Sequence, residues 1–293
     1  MADLWEPVNG VYTASASWLP NLQLLEKWGS SPLLIAVVGG LLGAGFGAWA
    51  AGWIAKRSKQ HDALTTEIRG TNLAMLLAQQ AFNLALALKI SAVKPLKDAY
   101  AKARREYEDT ANGRRVSEPQ NLQKISPINP PVDELRTATL EKLTLEGPAI
   151  RAALAVIETV HHLNRTLTMR NELVDTLLHD QLPRGMAFEH IYFGIEKDGH
   201  CHEGYSDAMR DMGRFTDDLL FFSYTLCQEL DKHGVELRAR SKKLIRGEVS
   251  ILRFRLADDV AEGMIPDAEA YKLWLARLQT EASSKKWWQF WRR

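Results

Sequence analysis

The residues best suited to chemistry lie in one short stretch, His200-Cys201-His202 followed by Glu203, with His190 upstream. Imidazole, thiolate and carboxylate all ligate zinc, but a site needs three or four of them in fixed geometry. No CxxC or HExxH spacing accompanies the stretch. His161 and His162 are neighbours on a predicted helix and diverge by about 100°, so they do not readily share an ion. The His200 cluster therefore reads as a solvated or hydrogen-bonded loop, and no metal or other cofactor is expected.

The adjacent carboxylates Asp217-Asp218 diverge in the same way. No partner base, P-loop, GxSxG or dinucleotide fingerprint supports them, so no catalytic residue is assigned and a non-enzyme is expected. The basic run Arg238, Arg240, Lys242, Lys243 and Arg246 lacks the interleaved aromatics of single-strand binders. It reads as a solvated face or one turned to a membrane leaflet. The net charge is only +1, so whole-molecule attraction to nucleic acid is not expected. Two cysteines make no disulfide framework and suit a reducing compartment.

The dominant element is not a chemical one. From Pro32 to Ala55 the chain runs 24 residues without a charge, about 36 Å of helix at 1.5 Å per residue, against a hydrocarbon core of about 30 Å. A segment alone in lipid must pair its own amides and so must be helical. Trp28 and Trp53 fall at the two ends, where tryptophan partitions to the headgroup layers. A cleaved signal peptide fits poorly, because Asp3 and Glu6 stand where lysines belong and the apolar run starts late. Only Lys27 precedes the run closely, whereas Lys56, Arg57, Lys59 and Arg69 follow it. The positive-inside rule then places residues 1–31 outside and the C-terminal side in the cytoplasm.

Gly39, Gly43 and Gly47 recur every fourth residue, and Gly40, Ala44, Ala48 and Gly52 form a second small-residue row beside them. Such rows let two helix backbones approach closely, so a homo-oligomer held by this glycine zipper is expected. The tail, Lys285-Lys286-Trp287-Trp288-Gln289-Phe290-Trp291-Arg292-Arg293, packs four aromatics and four cations into nine residues. Trp287, Trp288, Phe290, Trp291, Arg292 and Arg293, with Lys56 and Arg57, are therefore candidate membrane-interface residues.

The remaining elements read as mainly α: a single transmembrane helix (32–55) continuing into an antiparallel helical bundle (56–284), with minor β pieces and the tail (285–293). The helical pattern runs from Ser58 to Thr110, broken only by Pro95. Within it, Gly70 to Leu88 lacks charges and could form a second span. Asn72, Gln79, Gln80 and Asn83 would be costly in lipid, which favours a central bundle helix. Residues 111–131, with Pro119, Pro127, Pro130 and Pro131, read as a linker.

Gly147-Pro148 starts a second helix, with Val156, Val160, Leu163, Leu167, Val174 and Leu178 at coiled-coil-like spacing. A third runs from Ser206 to His233 and is expected to stop at Gly234. Met209, Met212, Leu219, Phe222, Leu226 and Leu230 lie along one of its faces. Ile191-Tyr192-Phe193 and Val249 to Leu256 are the expected β pieces. Asp267 caps a last helix carrying Tyr271, Trp274, Leu275 and Leu278.

Arg170-Asn171-Glu172-Leu173, Tyr192-Phe193-Gly194, Thr216-Asp217-Asp218, Phe221-Phe222-Ser223 and Gly263-Met264-Ile265-Pro266-Asp267 together resemble a group of uncharacterised bacterial single-span membrane proteins with a helical cytoplasmic region. The resemblance covers about half of the chain, in short pieces. The resemblance implies a bacterial inner-membrane location and carries over no activity and no functional residue. The expectation for function is a membrane-anchored scaffold or sensor contacting the bilayer and a cytoplasmic protein partner. The alternative is a membrane-perturbing or pore-forming effector of a bacterial stress or phage-defence system.

Overall fold

A computed structural model describes residues 5–8, 11–14, 32–109, 122–145, 147–179, 181–196, 199, 201–244, 250–256 and 263–276. The chain divides into two compact units, Met1–Gln60 and His61–Arg293. The fold is mainly helical. In the first unit, β1 (Trp5–Val8) and β2 (Val11–Ala14) pair antiparallel, Trp5 opposite Ala14. The helix α1 (Pro32–Leu88) begins there, and its residues from His61 belong to the second unit.

In the second unit α1 is followed by a π-helical turn (Lys89–Val93) and α2 (Lys94–Asp109). Pro95 causes the change. It cannot donate to the carbonyl four residues back and its ring crowds that carbonyl, so the chain widens into a π turn first. The Lys94 N–H then closes the turn on the Lys89 carbonyl. Next come α3 (Val132–Arg136), a π turn (Thr137–Glu141), α4 (Gly147–Leu178), α5 (Phe188–Phe193) and α6 (Gly204–Leu244), and later a 3-10 turn (Ala268–Tyr271).

The helix α6 is the shared partner. Arg170 of α4 meets Tyr205 and Met209, while His162 stacks on Phe215. Along α1, Glu67 meets His233, Phe82 meets Tyr224 and Lys89, just beyond the helix, meets Asp217. In both pairings one index falls as the other rises, so α1 and α4 each run antiparallel to α6. Ala74, Met75, Ala78, Ala81, Phe82 and Ala85 are buried with Val156, Leu163 and Leu167 of α4 and Met212, Leu219 and Leu226 of α6. The stretch Gly70 to Leu88 is therefore a core helix of the bundle.

The two β pieces expected here are not strands. Ile191, Tyr192 and Phe193 close α5, capped by Gly194 in the left-handed region at φ 66°. The described part of the other, 250–256, has no regular secondary structure. Gly234 does not end its helix either: α6 runs on to Leu244 because Leu237 gains a buried place with Leu64, Ile68 and Ile251. That packing outweighs the roughly 1 kcal/mol cost of an internal glycine.

Candidate functional site

The first candidate is the apolar run of α1. Pro32 does open a helix, and Gly39, Gly40, Gly43 and Ala44 lie on its described backbone. Gly47, Ala48 and Gly52 are exposed, and a methyl group added at Gly47 or Gly52 would meet no atom within 4 Å. Trp53 is 54% exposed beneath the Arg57 guanidinium, 5.3 Å from its ring centre, with Lys56 exposed beside them. A large aromatic and a cation stacked in the open suit a headgroup layer, where the ring is half in hydrocarbon and the charge stays wet. Trp28, Trp287, Trp288, Phe290, Trp291, Arg292 and Arg293 lie outside the described residues.

Among the described residues the run Gly47–Asp109 is long and apolar enough to cross a membrane, and 44% of its most apolar window is buried inside the protein. That buried share belongs to the core segment described above. That window, residues 73–90, lies outside Pro32–Ala55.

The second candidate is a set of side chains that hold extended chain onto the bundle. Residues 122–131 lie against α4. Asn171 Oδ1 accepts from the Ile125 N–H at 3.0 Å, and its Nδ2 donates to the Ile125 carbonyl at 2.7 Å. One heptad earlier, Asn164 does the same to Ile128, at 3.0 and 2.7 Å. Two helical turns rise about 10.5 Å, close to three residues of extended chain, so a spacing of seven on the helix matches three on the strap.

Between the two amides, Arg170 is wholly buried. It donates to the Gln123 carbonyl at 2.8 Å and to the Tyr205 hydroxyl at 3.3 Å, beside Met209 Sδ at 3.4 Å. No described carboxylate lies within ion-pair distance. Its charge is offset by these dipoles and by the Tyr205 ring face, 5.6 Å away. Tyr205 in turn stacks on Tyr192, and burial pushes both phenols above their ordinary range.

Asn72 repeats the device on α1. Its Nδ2 donates to the Ser250 carbonyl at 3.0 Å, and the Leu252 N–H donates to its Oδ1 at 2.9 Å. Arg253 grips Asp231 through two nitrogens, at 2.6 and 3.1 Å. The carboxylates Asp217 and Asp218 also serve docking. Asp217 pairs with Lys89 at 2.7 Å, and Lys89 donates to the Met264 carbonyl at the same distance. Asp218 accepts from the Tyr271 hydroxyl at 2.6 Å, while the Tyr271 ring stacks 3.8 Å over Phe221 and Trp274 packs on Phe222. Burial raises the Asp218 carboxyl above the ordinary aspartate value, against the lowering effect of the Tyr271 bond.

In the His200 stretch the Cys201 thiol lies 3.7 Å from Glu203 Oε1. His200 itself lies outside the described residues. The Cys201 thiol donates to the Gly194 carbonyl, and His190 Nδ1 accepts from the Ala187 N–H to cap α5. No group of three metal-ligating side chains occurs among the described residues. In the basic run Arg238, Arg240 and Lys242 are exposed, with Arg240 3.8 Å from Glu236. Lys243 is placed by its backbone alone and Arg246 lies outside the described residues.

Sequence reasoning did not find the three asparagine clamps or Arg170 as an anchor. Their partners stand 36 to 180 residues away, and a lone polar residue on a helix gives no sign of such a bond. No family model, curated protein or solved structure matches the chain.

Proposed function

We propose that the chain is a non-enzymatic scaffold or sensor, anchored by the single span Pro32–Ala55, with its helical body in the cytoplasm of a bacterial cell. The observation that carries this reading is 24 uncharged residues in a helix whose described small residues are open to solvent and whose end bears the Trp53–Arg57 stack. A soluble protein gains nothing by exposing Trp49, Trp53 and Ile54, whereas lipid gives each an apolar contact. The rows of Gly39, Gly43 and Gly47 and of Gly40, Ala44, Ala48 and Gly52 hold copies together by close backbone approach. The bundle unit presents docked chain segments. The aromatic and basic residues of the tail grip the inner leaflet beside the anchor.

Cysteine at Gly43 tests the assembly. Oxidation in native membranes is expected to give dimers, and Gly43→Leu is expected to abolish pairing from cysteine at Gly47. Absence of any crosslinked species removes the zipper. If overexpression instead depolarises cells and Gly43→Leu prevents it, the pore-forming effector replaces the scaffold.

A further inference from the structure

Among the described residues nothing covers a second face of α1, which lies wholly within the bundle unit. Most of this helix is committed: Ala74, Met75, Ala78, Phe82 and Ala85 are buried in the core. From Leu73 onward the exposed residues that remain are Leu73, Leu76, Gln79, Gln80, Asn83 and Ala87, with Ile90 in the π turn that follows, and Gln79 flanks the row formed by the other six. Successive separations are 3, 4, 3, 4 and 3. The outward stripe of a bundle helix is ordinarily charged. This one carries no charge from Leu73 to Ala87, and Leu73 and Leu76 are 43% and 53% exposed.

We propose that this stripe is a coiled-coil seam, occupied by the same stripe of a second copy, parallel and in register. From Leu73 to Ala87 the separations average 3.5, the period at which one helix presents a continuous seam to another helix. The chemistry of the stripe selects a like partner. Gln80 and Asn83 each carry a donor and an acceptor, and neither amide bonds to a described residue. Across a two-fold axis each amide meets its own copy, donor to acceptor, whereas an apolar partner would leave both unpaired.

Polar amides at one point in an apolar seam also fix register. No like charges oppose one another between Leu73 and Ala87. Counted back along the sequence, the same seven-residue frame passes Arg69, Asp62 and Lys59 and then falls on Ala55, Gly52, Ala48 and Gly45. The frame is therefore small in the uncharged run and free of charge from Leu73 to Ala87, with Arg69, Asp62 and Lys59 between the two. The parallel direction rests on the anchor reading above, since copies inserted through one span point the same way.

The test uses the full chain in native membranes, in a Cys201→Ser background that leaves buried Cys227 as the native thiol. Cysteine is placed at Leu76 or Ala87 on the seam, at exposed Glu158 on α4 as an off-seam position, and at Gly47 in the span. Oxidation is expected to give disulfide dimers at Leu76 and Ala87 and none at Glu158. Leu76→Glu, a change at an exposed position, is expected to abolish the dimer at Ala87 while leaving helix content unchanged. Dimers at Gly47 without dimers at Leu76 or Ala87 overturn the seam and leave the zipper standing. Loss of dimers at all three positions overturns both. A product from Leu76→Cys whose mass is not twice that of the chain identifies an unlike partner and overturns the seam.

Discussion

Replacing Asn171 by alanine removes both bonds to Ile125 and leaves a buried N–H and carbonyl to find water or go unpaired. Each bond is worth about 1 kcal/mol net, and the pair about 2 kcal/mol. Since 1.4 kcal/mol is a factor of ten, the open population of the strap should rise roughly 30-fold. Gln123, Ile125 and Ile128 are all held to one helix within six residues, so the strap opens as a unit and the Ile125 and Ile128 amides should accelerate together.

Hydrogen exchange in detergent micelles, read residue by residue, measures this directly. Asn171→Asp should be worse than alanine, because it keeps the acceptor for the Ile125 N–H but turns a carboxylate oxygen on the Ile125 carbonyl. The core amides of α4 near Leu167, wholly buried, should not change in either variant. Unaltered exchange at Ile125 would refute the clamp. Acceleration of equal size at Leu167 would show that Asn171 supports the whole bundle rather than the strap.

Further outcomes follow from other contacts. Arg170→Met removes a buried cation that has no described counter-charge at nearly constant volume, so it should cost far less thermal stability than Arg170→Ala, which also opens a cavity; equal losses in melting experiments would contradict this. Burial holds the Asp218 carboxyl above its ordinary value, so the folded state takes up its proton more readily than the unfolded one. Its contribution is therefore greatest below the ordinary aspartate value of about 4 and is lost as pH rises through the raised one. The difference in melting temperature between the parent chain and Asp218→Asn should therefore move in the parent's favour on acidification; a difference independent of pH would contradict this. The buried Cys227 thiol is pushed up to about 12 by desolvation, so a maleimide should modify exposed Cys201 in the native protein and reach Cys227 only on unfolding; rapid double labelling would count against the packing around α6.

What the sequence discloses is what local pattern controls. Gly147-Pro148 marks the start of α4, and Val156, Val160, Leu163, Leu167 and Val174, chosen by spacing alone, are buried, while Leu178, chosen with them, is exposed at the helix end. On α6, Met209, Met212, Leu219, Leu226 and Leu230 are buried and Phe222 is partly buried. The errors fall where local signals are degenerate. Ile191-Tyr192-Phe193 is apolar and β-prone, and a run of three cannot separate a strand from the last turn of a short helix. Gly234 resembles a terminator, but burial of Leu237 carries the helix past it.

The carboxylates Asp217 and Asp218 diverge as expected of helix neighbours, yet their separate partners, Lys89 and Tyr271, are set by tertiary packing. Arg170 and Asn171 stood out only as part of a resemblance. Their work depends on backbone groups of a proline-rich stretch some 46 residues earlier, which no periodicity can report.

The anchor is tested most directly by the side of the membrane on which the chain ends. Reporters active on only one side of the membrane, fused after Arg293 and after residue 31 in otherwise intact chains, should place the first in the cytoplasm and the second outside, with both proteins resistant to alkaline extraction. Release of the intact chain by alkali, or an outward-facing reporter after Arg293, contradicts a single span at Pro32–Ala55.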